Sequence, residues 1–383
     1  MFKKVFAAML AGLFIAAPAF AEVKMNGSFF IKGNYVDTGK DVSTYESDFE
    51  VKTQFIVDEN TSATIVVEAF DNNWDKGVGT DSVPVKVLVD SDDDGAFDTT
   101  KEGSAVSGEA QNHLQVTTAK MDHNFGNGFA FSGGIDGNGN SFGTAFNDDA
   151  DKEYFLQGTM DLPFGSVTAK TQKIDETDAV DKDTDAYQLA LTLKAGGFEI
   201  TPAFYYLDKQ LADKTNTKMM VYTTGKIANV DLTAEVVYED DEARDAKTYG
   251  LYVQADTTVA ALGVTVAGIY SSEDDNKAFK TGDELAIMDI ATDNVEIDGA
   301  NLFKVGVSKS LTEKISVDGA VAAILDNLDD NAAGNNQDGY EADLNAYFKA
   351  SDAVTLSCGI ATLDLDYMKD ARIDGYAKIN VAF

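Results

Sequence analysis

The sequence predicts an all-β protein: a transmembrane, antiparallel, up-and-down β-barrel of 16–18 strands, of which 18 are counted. Three observations predict it. Apolar and polar residues alternate with period two over many short segments, the mark of half-buried strands. The connections alternate between tight turns and long acidic stretches. The strand face opposite the apolar one is too charged for a packed core, because burying unpaired charge is costly.

Residues 1–21 read as a cleaved secretory signal peptide. Lys3 and Lys4 supply a basic start, VFAAMLAGLFIAAPAF an apolar run, and Ala19-Phe20-Ala21 an A-x-A cleavage site. The run is short and a cleavage site closes it, which disfavours a retained membrane helix. Residues 22–383 then form a single barrel domain, since no Pro/Ser linker or change of pattern marks a second.

Strands are expected to begin near Val23, Asp48, Ser62, Glu109, Phe129, Lys152, Ser166, Ala186, Phe198, Lys218, Val230, Lys247, Leu262, Ala300, Ile315, Gly339, Val354 and Ala371. In FEVKTQFIV, Phe49, Val51, Thr53, Phe55 and Val57 share one face, and Glu50, Lys52 and Gln54 the other. In AYQLALTLK, Tyr187, Leu189, Leu191 and Leu193 oppose Gln188, Thr192 and Lys194. Val221 to Tyr238 read as a hairpin about Ala228-Asn229.

Short connections fall at 58–60, 162–165, 195–197, 228–229, 311–314 and 351–353. Long acidic ones fall at 71–108, 136–151, 175–185, 239–246, 272–299 and 326–338. Membrane barrels carry tight turns at one end and long loops at the other. Aromatic residues recur near strand ends: Tyr35, Phe49, Tyr187, Tyr206, Tyr222, Tyr238, Tyr249, Tyr270, Tyr340, Phe348 and Tyr376. At headgroup level such rings form girdles. Closing the sheet pairs every strand edge, as hydrocarbon demands. A water-filled lumen then takes the charged face.

The formal charge of −35 argues against nucleic acid as a partner and favours cations. Cys358 is the only cysteine, so no intrachain disulfide forms. It shares a face with Val354, Leu356 and Ile360, which reads as facing lipid. His113 and His123 are the only histidines, and neither belongs to a recognisable catalytic motif, so no enzyme is expected.

The chain ends in GYAKINVAF, where Gly375, Ala377, Ile379, Val381 and Phe383 share one face. With the signal peptide and the strand pattern, this terminus resembles those of Gram-negative outer-membrane porins of the general, trimeric kind, over essentially the whole mature sequence. The resemblance implies an outer-membrane location and a water-filled pore for passive diffusion of small hydrophilic solutes and ions. It also implies a homotrimer and recognition by the barrel-assembly machinery through Phe383. The family's inward-folded third loop would be Ile135 to Asp151, placing Asn138, Asn140, Asn147, Asp148, Asp149 and Asp151 at a constriction. The family's arginine cluster is missing, since only Arg244 and Arg372 occur and neither sits in an obvious cluster. Lysines such as Lys32, Lys52, Lys170, Lys194 and Lys378 must supply any cationic wall, and a lysine is a mobile point charge, not a rigid fork. Acidic outer loops such as 175–185 and 239–245 would either make the pore prefer cations or merely keep the surface solvated. Two other readings stay open: a barrel that acts as an adhesin or structural protein through its loops, and a substrate-specific channel.

VDSDDDGAFD, from Val89 to Asp98, matches part of an EF-hand calcium loop. Asp90, Asp92, Asp94 and Asp98 stand where side-chain oxygens are needed, Gly95 at the turn and Ala96 where a backbone carbonyl binds. Lys101 occupies the position of the closing glutamate, Glu102 is one residue late, and VPVKVLV reads as a strand where a helix belongs. The segment is therefore either a calcium site in an external loop, completed by Asp93 or Glu102, or a plain acidic loop. No cofactor is required.

Overall fold

The computed structural model describes residues 22–37, 41–73, 82–89, 99–106, 115–136, 153–175, 183–209, 214–274, 277–278, 300–326, 338–366 and 371–383. The strands in chain order are β1 (Glu22–Asp37), β2 (Asp41–Ile56), β3 (Thr61–Asn73), β4 (Ser82–Val89), β5 (Thr99–Val106), β6 (Gln115–Asn124), β7 (Phe129–Asp136), β8 (Glu153–Leu162), β9 (Gly165–Asp175), β10 (Thr184–Ala195) and β11 (Phe198–Lys209). They continue as β12 (Lys214–Ile227), β13 (Val230–Asp241), β14 (Ala246–Val259), β15 (Leu262–Ser271), β16 (Glu273–Asp274), β17 (Lys277–Ala278), β18 (Ala300–Ser310), β19 (Ile315–Asp326), β20 (Gly339–Lys349), β21 (Val354–Leu365) and β22 (Arg372–Ala382).

Eighteen strands form one antiparallel sheet, while β4–β5 and β16–β17 are separate hairpins. Each barrel strand pairs with its neighbours in the barrel, and β22 pairs with β1 from Ser28↔Ala382 to Asp37↔Ile373. The ring is therefore closed. At the seam the Phe383 amide donates to the Gly27 carbonyl at 3.0 Å, and the Gly27 amide donates to the Phe383 carbonyl at 2.8 Å. With no free edge in the ring, the barrel backbone is satisfied without water.

Most strand starts fall within two residues of the sequence expectation. Three differ: β2 begins at Asp41, β6 at Gln115 and β12 at Lys214. The added segments of β2 and β12, DVSTYES and KTNT, are polar at nearly every position, so apolar periodicity does not reveal them. Pairing with β1 and β11 extends them regardless.

The end that holds both barrel termini carries tight turns at 57–60, 125–128, 163–164, 196–197, 228–229, 260–261, 311–314 and 350–353. Ala228, Ala260 and Ala261 adopt left-handed backbone there (φ 55°, 51° and 64°). At the opposite end the expected long loop at 239–246 proves to be a four-residue turn, 242–245. Glu239 and Asp241 stay within β13 because basic groups neutralise them. Arg244 Nη2 lies 2.7 Å from Glu239 Oε2, and its Nε lies 3.0 Å from Asp241 Oδ2.

Outward positions are apolar and exposed. Leu189, Val221, Val236, Val253, Phe303, Leu344 and Ile360 all show this, which in water would be prohibitive and in lipid is favourable. Tyr187 packs against Tyr206 and Tyr249 against Tyr270 toward the long-loop end, with ring centroids 6.4 and 5.6 Å apart. These are girdle pairs. Tyr222 and Tyr376 are not girdle residues. They occupy inward positions, in register with buried Glu235 and with Asn34 respectively.

Candidate pore lining

The barrel positions every lining residue by parity: alternate residues of each strand face inward, and register aligns them around the ring. Two arcs of different chemistry result. The first is charged. On β1 and β2, Lys32 faces Glu46 across one pairing and Lys378 of β22 across the other. Lys32 Nζ lies 3.1 Å from Glu46 Oε1 and 5.6 Å above the Tyr376 ring. Lys378 Nζ lies 3.7 Å above the Phe30 ring. On the other side of β2, Glu50 stands directly opposite Glu68 of β3. Opposed like charges destabilise a sheet unless solvent screens them, so this arc is built for water.

The second arc, over the long-loop half of β12–β15 and β18–β21, is dry. Met220, Val237, Tyr252, Ile269, Leu302, Ile324, Leu363 and Leu365 are inward residues packed into one buried cluster. Glu235 and Glu341 are fully buried at neighbouring inward positions. Strands here are apolar on both faces, as in MMVY (219–222), VV (236–237) and AILD (323–326), where alternation fails. That failure was the available signal, and alternation-based reading missed it.

Of the lysines named from sequence, Lys32, Lys52, Lys170, Lys194 and Lys378 all occupy inward positions. Lys52 is exposed to the lumen. Lys170 is buried, with its Nζ 5.2 Å above the Phe155 ring. Lys194 sits at the turn end, 3.9 Å from Glu199. The two arginines, read as lying in no arginine cluster, are both ion-paired. Arg372 donates from Nε to Asp374 Oδ1 at 2.8 Å inside the barrel. Arg244 closes the rim with Glu239, which also accepts from Asn216 Nδ2 at 2.7 Å and lies 3.5 Å from Lys218 Nζ. Asn138, Asn140, Asn147, Asp148, Asp149 and Asp151 lie outside the described residues, as do Asp90, Asp92, Asp94, Ala96 and Asp98. The latter five join β4 to β5, so their flanks are strands, as read from VPVKVLV.

Beside a small cleft of about 140 Å³ lined by Lys304, Asp318 and Asp343, two larger ones open on the inner wall at the turn end. One, of about 370 Å³, is lined by Gln54, Ser62, Asp122, Ser132, Gln157 and Thr159. Ser132 Oγ donates to Asp122 Oδ1 at 2.5 Å and fixes that carboxylate. The other, of about 550 Å³, includes Lys226, Asp231, Asp256, Thr258 and Thr265. There Asp256 accepts from Gln254 Nε2 and Thr265 Oγ1, each at 2.6 Å.

No protein-family model matches the sequence, and no curated protein does. Solved structures do. OccAB3 of Acinetobacter baumannii superposes with a TM-score of 0.63 at 8% identity, covering 94% of this chain and 99% of that one. A BenF-like porin from Pseudomonas fluorescens gives 0.63 at 10% identity, with 94% and 98% covered. OccK2 (OpdF) of Pseudomonas aeruginosa, solved in complex with glucuronate, gives 0.63 at 7% identity, also with 94% and 98% covered. The fold shared with these proteins is the closed outer-membrane barrel that the sequence implied.

Proposed function

Proceeding from that fold, we propose that the chain is a passive channel of the bacterial outer membrane, admitting small hydrophilic solutes and preferring cations. The closed 18-stranded ring, apolar outside and charged along β1–β3 inside, carries the reading. A barrel of this size leaves an interior too wide for side chains to fill, unlike one of eight strands. Acids on the inner wall, Glu46, Asp48, Glu50 and Glu68 among them, support the charge preference together with the net charge of −35. A homotrimer inserted through Phe383 belongs to the same proposal.

Planar-bilayer recording tests it. Stepwise conductance is expected, with a reversal potential of cation-selective sign in a KCl gradient. A correctly folded, heat-modifiable protein that passes no current would point to an adhesin. A zero or anion-selective potential would remove the charge preference and leave the channel. Native mass measurement in detergent tests the trimer.

The dry arc favours a second reading, a substrate-specific channel, because it narrows the wet cross-section to part of the ring. Liposome swelling separates the two. Rates that fall smoothly with solute size indicate a general pore, and saturation by one solute class indicates a specific one.

A further inference from the structure

The interior is not uniformly accessible, and the asymmetry follows strand identity. The inward residues of β1 from Lys24 to Val36, and of β2 from Glu46 to Ile56, all retain solvent access. Across the barrel the trend reverses. On β13 the inward residues Glu235, Val237, Glu239 and Asp241 are all buried, and on β14 so are Ala246, Thr248, Gly250 and Tyr252. An ion forced through the dry arc would shed its water against leucine and isoleucine, which costs several kcal/mol or more.

The two larger turn-end clefts relate differently to these arcs. Above the larger one, the inward rows of β14 and β15 lead into the dry cluster, while Lys304 of β18 keeps solvent access. Tyr252 stands four residues above Asp256 on β14, and Ile269 four above Thr265 on β15. That cleft is a recess with an apolar ceiling. Above the smaller one the count along β2 leads from Gln54 to Lys52 and Glu50, and along β6 from Asp122 to Lys120, all with solvent access, while Val66 on β3 and Phe155 on β8 are buried. Along β2 and β6 that cleft continues upward into the charged wall.

We infer that solutes pass along the β1–β2 wall and leave through the cleft lined by Gln54, Asp122, Ser132 and Gln157, with Asp122 the residue that sets charge preference at this exit. The inference rests on the channel reading. The structure gives Asp122 the means: Ser132 holds its carboxylate in place on the cleft wall, where small cations and solutes bearing hydrogen-bond donors would meet it. Asp256 is another inward carboxylate, but it lies in the recess, off the path.

The test uses matched small substitutions in the full-length barrel with Cys358 changed to Ser. Ala130→Cys places a thiol in the proposed exit. Ala322→Cys and Ala361→Cys place one in the dry arc, where the alanines are 1% and 2% exposed. A charged, water-soluble thiol reagent should add its mass to the Ala130→Cys protein in vesicles and lower its single-channel conductance in a step. It should do neither to the other two. Labelling of either dry-arc cysteine, or failure to label Ala130→Cys in a heat-modifiable barrel, overturns the inference. In salt near 1 M a charge reaches only about 3 Å. There Asp122→Asn should move the reversal potential toward zero, and Asp256→Asn should leave it in place. Equal shifts from both would also overturn the inference. If the unmodified barrel passes no current while the labelling pattern holds, the channel reading fails and the wet wall stands.

Discussion

Gly27→Ala should weaken the barrel at its seam. A Cβ built on Gly27 would lie 2.4 Å from the Glu50 carbonyl oxygen and 2.7 Å from the Phe383 ring. Comfortable contact begins at about 3.5 Å, so the methyl intrudes by roughly 1 Å on each side. The ring is exposed and swings aside at little cost, but the carbonyl belongs to the β1–β2 ladder. Overpacking of this kind costs about 1–3 kcal/mol. Phe383→Ala alone loses a ring stacked on Phe49, with centroids 6.0 Å apart. In lipid it forfeits packing without a hydrophobic term, so about 0.5–1.5 kcal/mol is expected. Urea unfolding in lipid vesicles, followed by loss of the heat-modifiable gel band, measures both variants and the double variant. In the Phe383→Ala background, Gly27→Ala should cost less than in the parent but still cost something, because the carbonyl clash remains. A Gly27→Ala barrel with the parent's urea midpoint, or a cost that vanishes without Phe383, would refute the reasoning.

Arg244→Met should loosen the 242–245 turn by about 1–2 kcal/mol, allowing for the part exposure of the guanidinium. Limited proteolysis reads it, and Arg244→Lys should restore only part, since an ammonium does not bridge two carboxylates as a fork does. Ala260→Asn with Ala261→Gly should raise the urea midpoint by relieving two left-handed alanines, worth about 1–2 kcal/mol each before the added entropy of glycine is charged. If the loop after Val89 holds calcium, calcium should protect it from protease, and Asp90→Ala with Asp94→Ala should abolish that protection. Asp58 in the 57–60 turn accepts from the Asn60 amide at 2.8 Å, which with Thr61 holds its carboxyl below the ordinary value. A depressed folded pKa stabilises above the unfolded value and is lost as pH falls through the folded one. Protease nicking of this turn should therefore rise only in strong acid, and Asp58→Asn should remove the pH dependence.

Where one face met lipid and the other water, period-two alternation located the strand and named its inward residues. Lys52 on β2 and Lys378 on β22 were both read this way. On β13–β15 and β18–β21 the same rule placed the strands but not the dry interior, because neighbours such as Val236 and Val237 are apolar on both faces. Periodicity sees contrast between faces, and a dry lumen removes the contrast. It failed again at Glu239 and Asp241, where clustered acids suggested a loop. Nothing in their own sequence neighbourhood announces that Lys218, on the adjacent strand, lies within reach. The cleft around Asp122 was not legible, since its companions Gln54, Ser132 and Gln157 come from three other strands.

The dry arc also has a mechanical consequence. In their long-loop halves, strands β12–β15 and β18–β21 are gripped on both faces, by lipid outside and by close-packed side chains within. Strands β1 and β2 are gripped on one face and wetted on the other. Close-packed interiors compress little and transmit strain. The cylinder is therefore stiff along one flank and compliant along the other. Deformation imposed from the membrane, whether by tension or by a thickness mismatch, concentrates on the compliant flank. Backbone amides should exchange with solvent along the same circumferential gradient, fastest beside β1 and β2 and slowest near Val237 and Leu363.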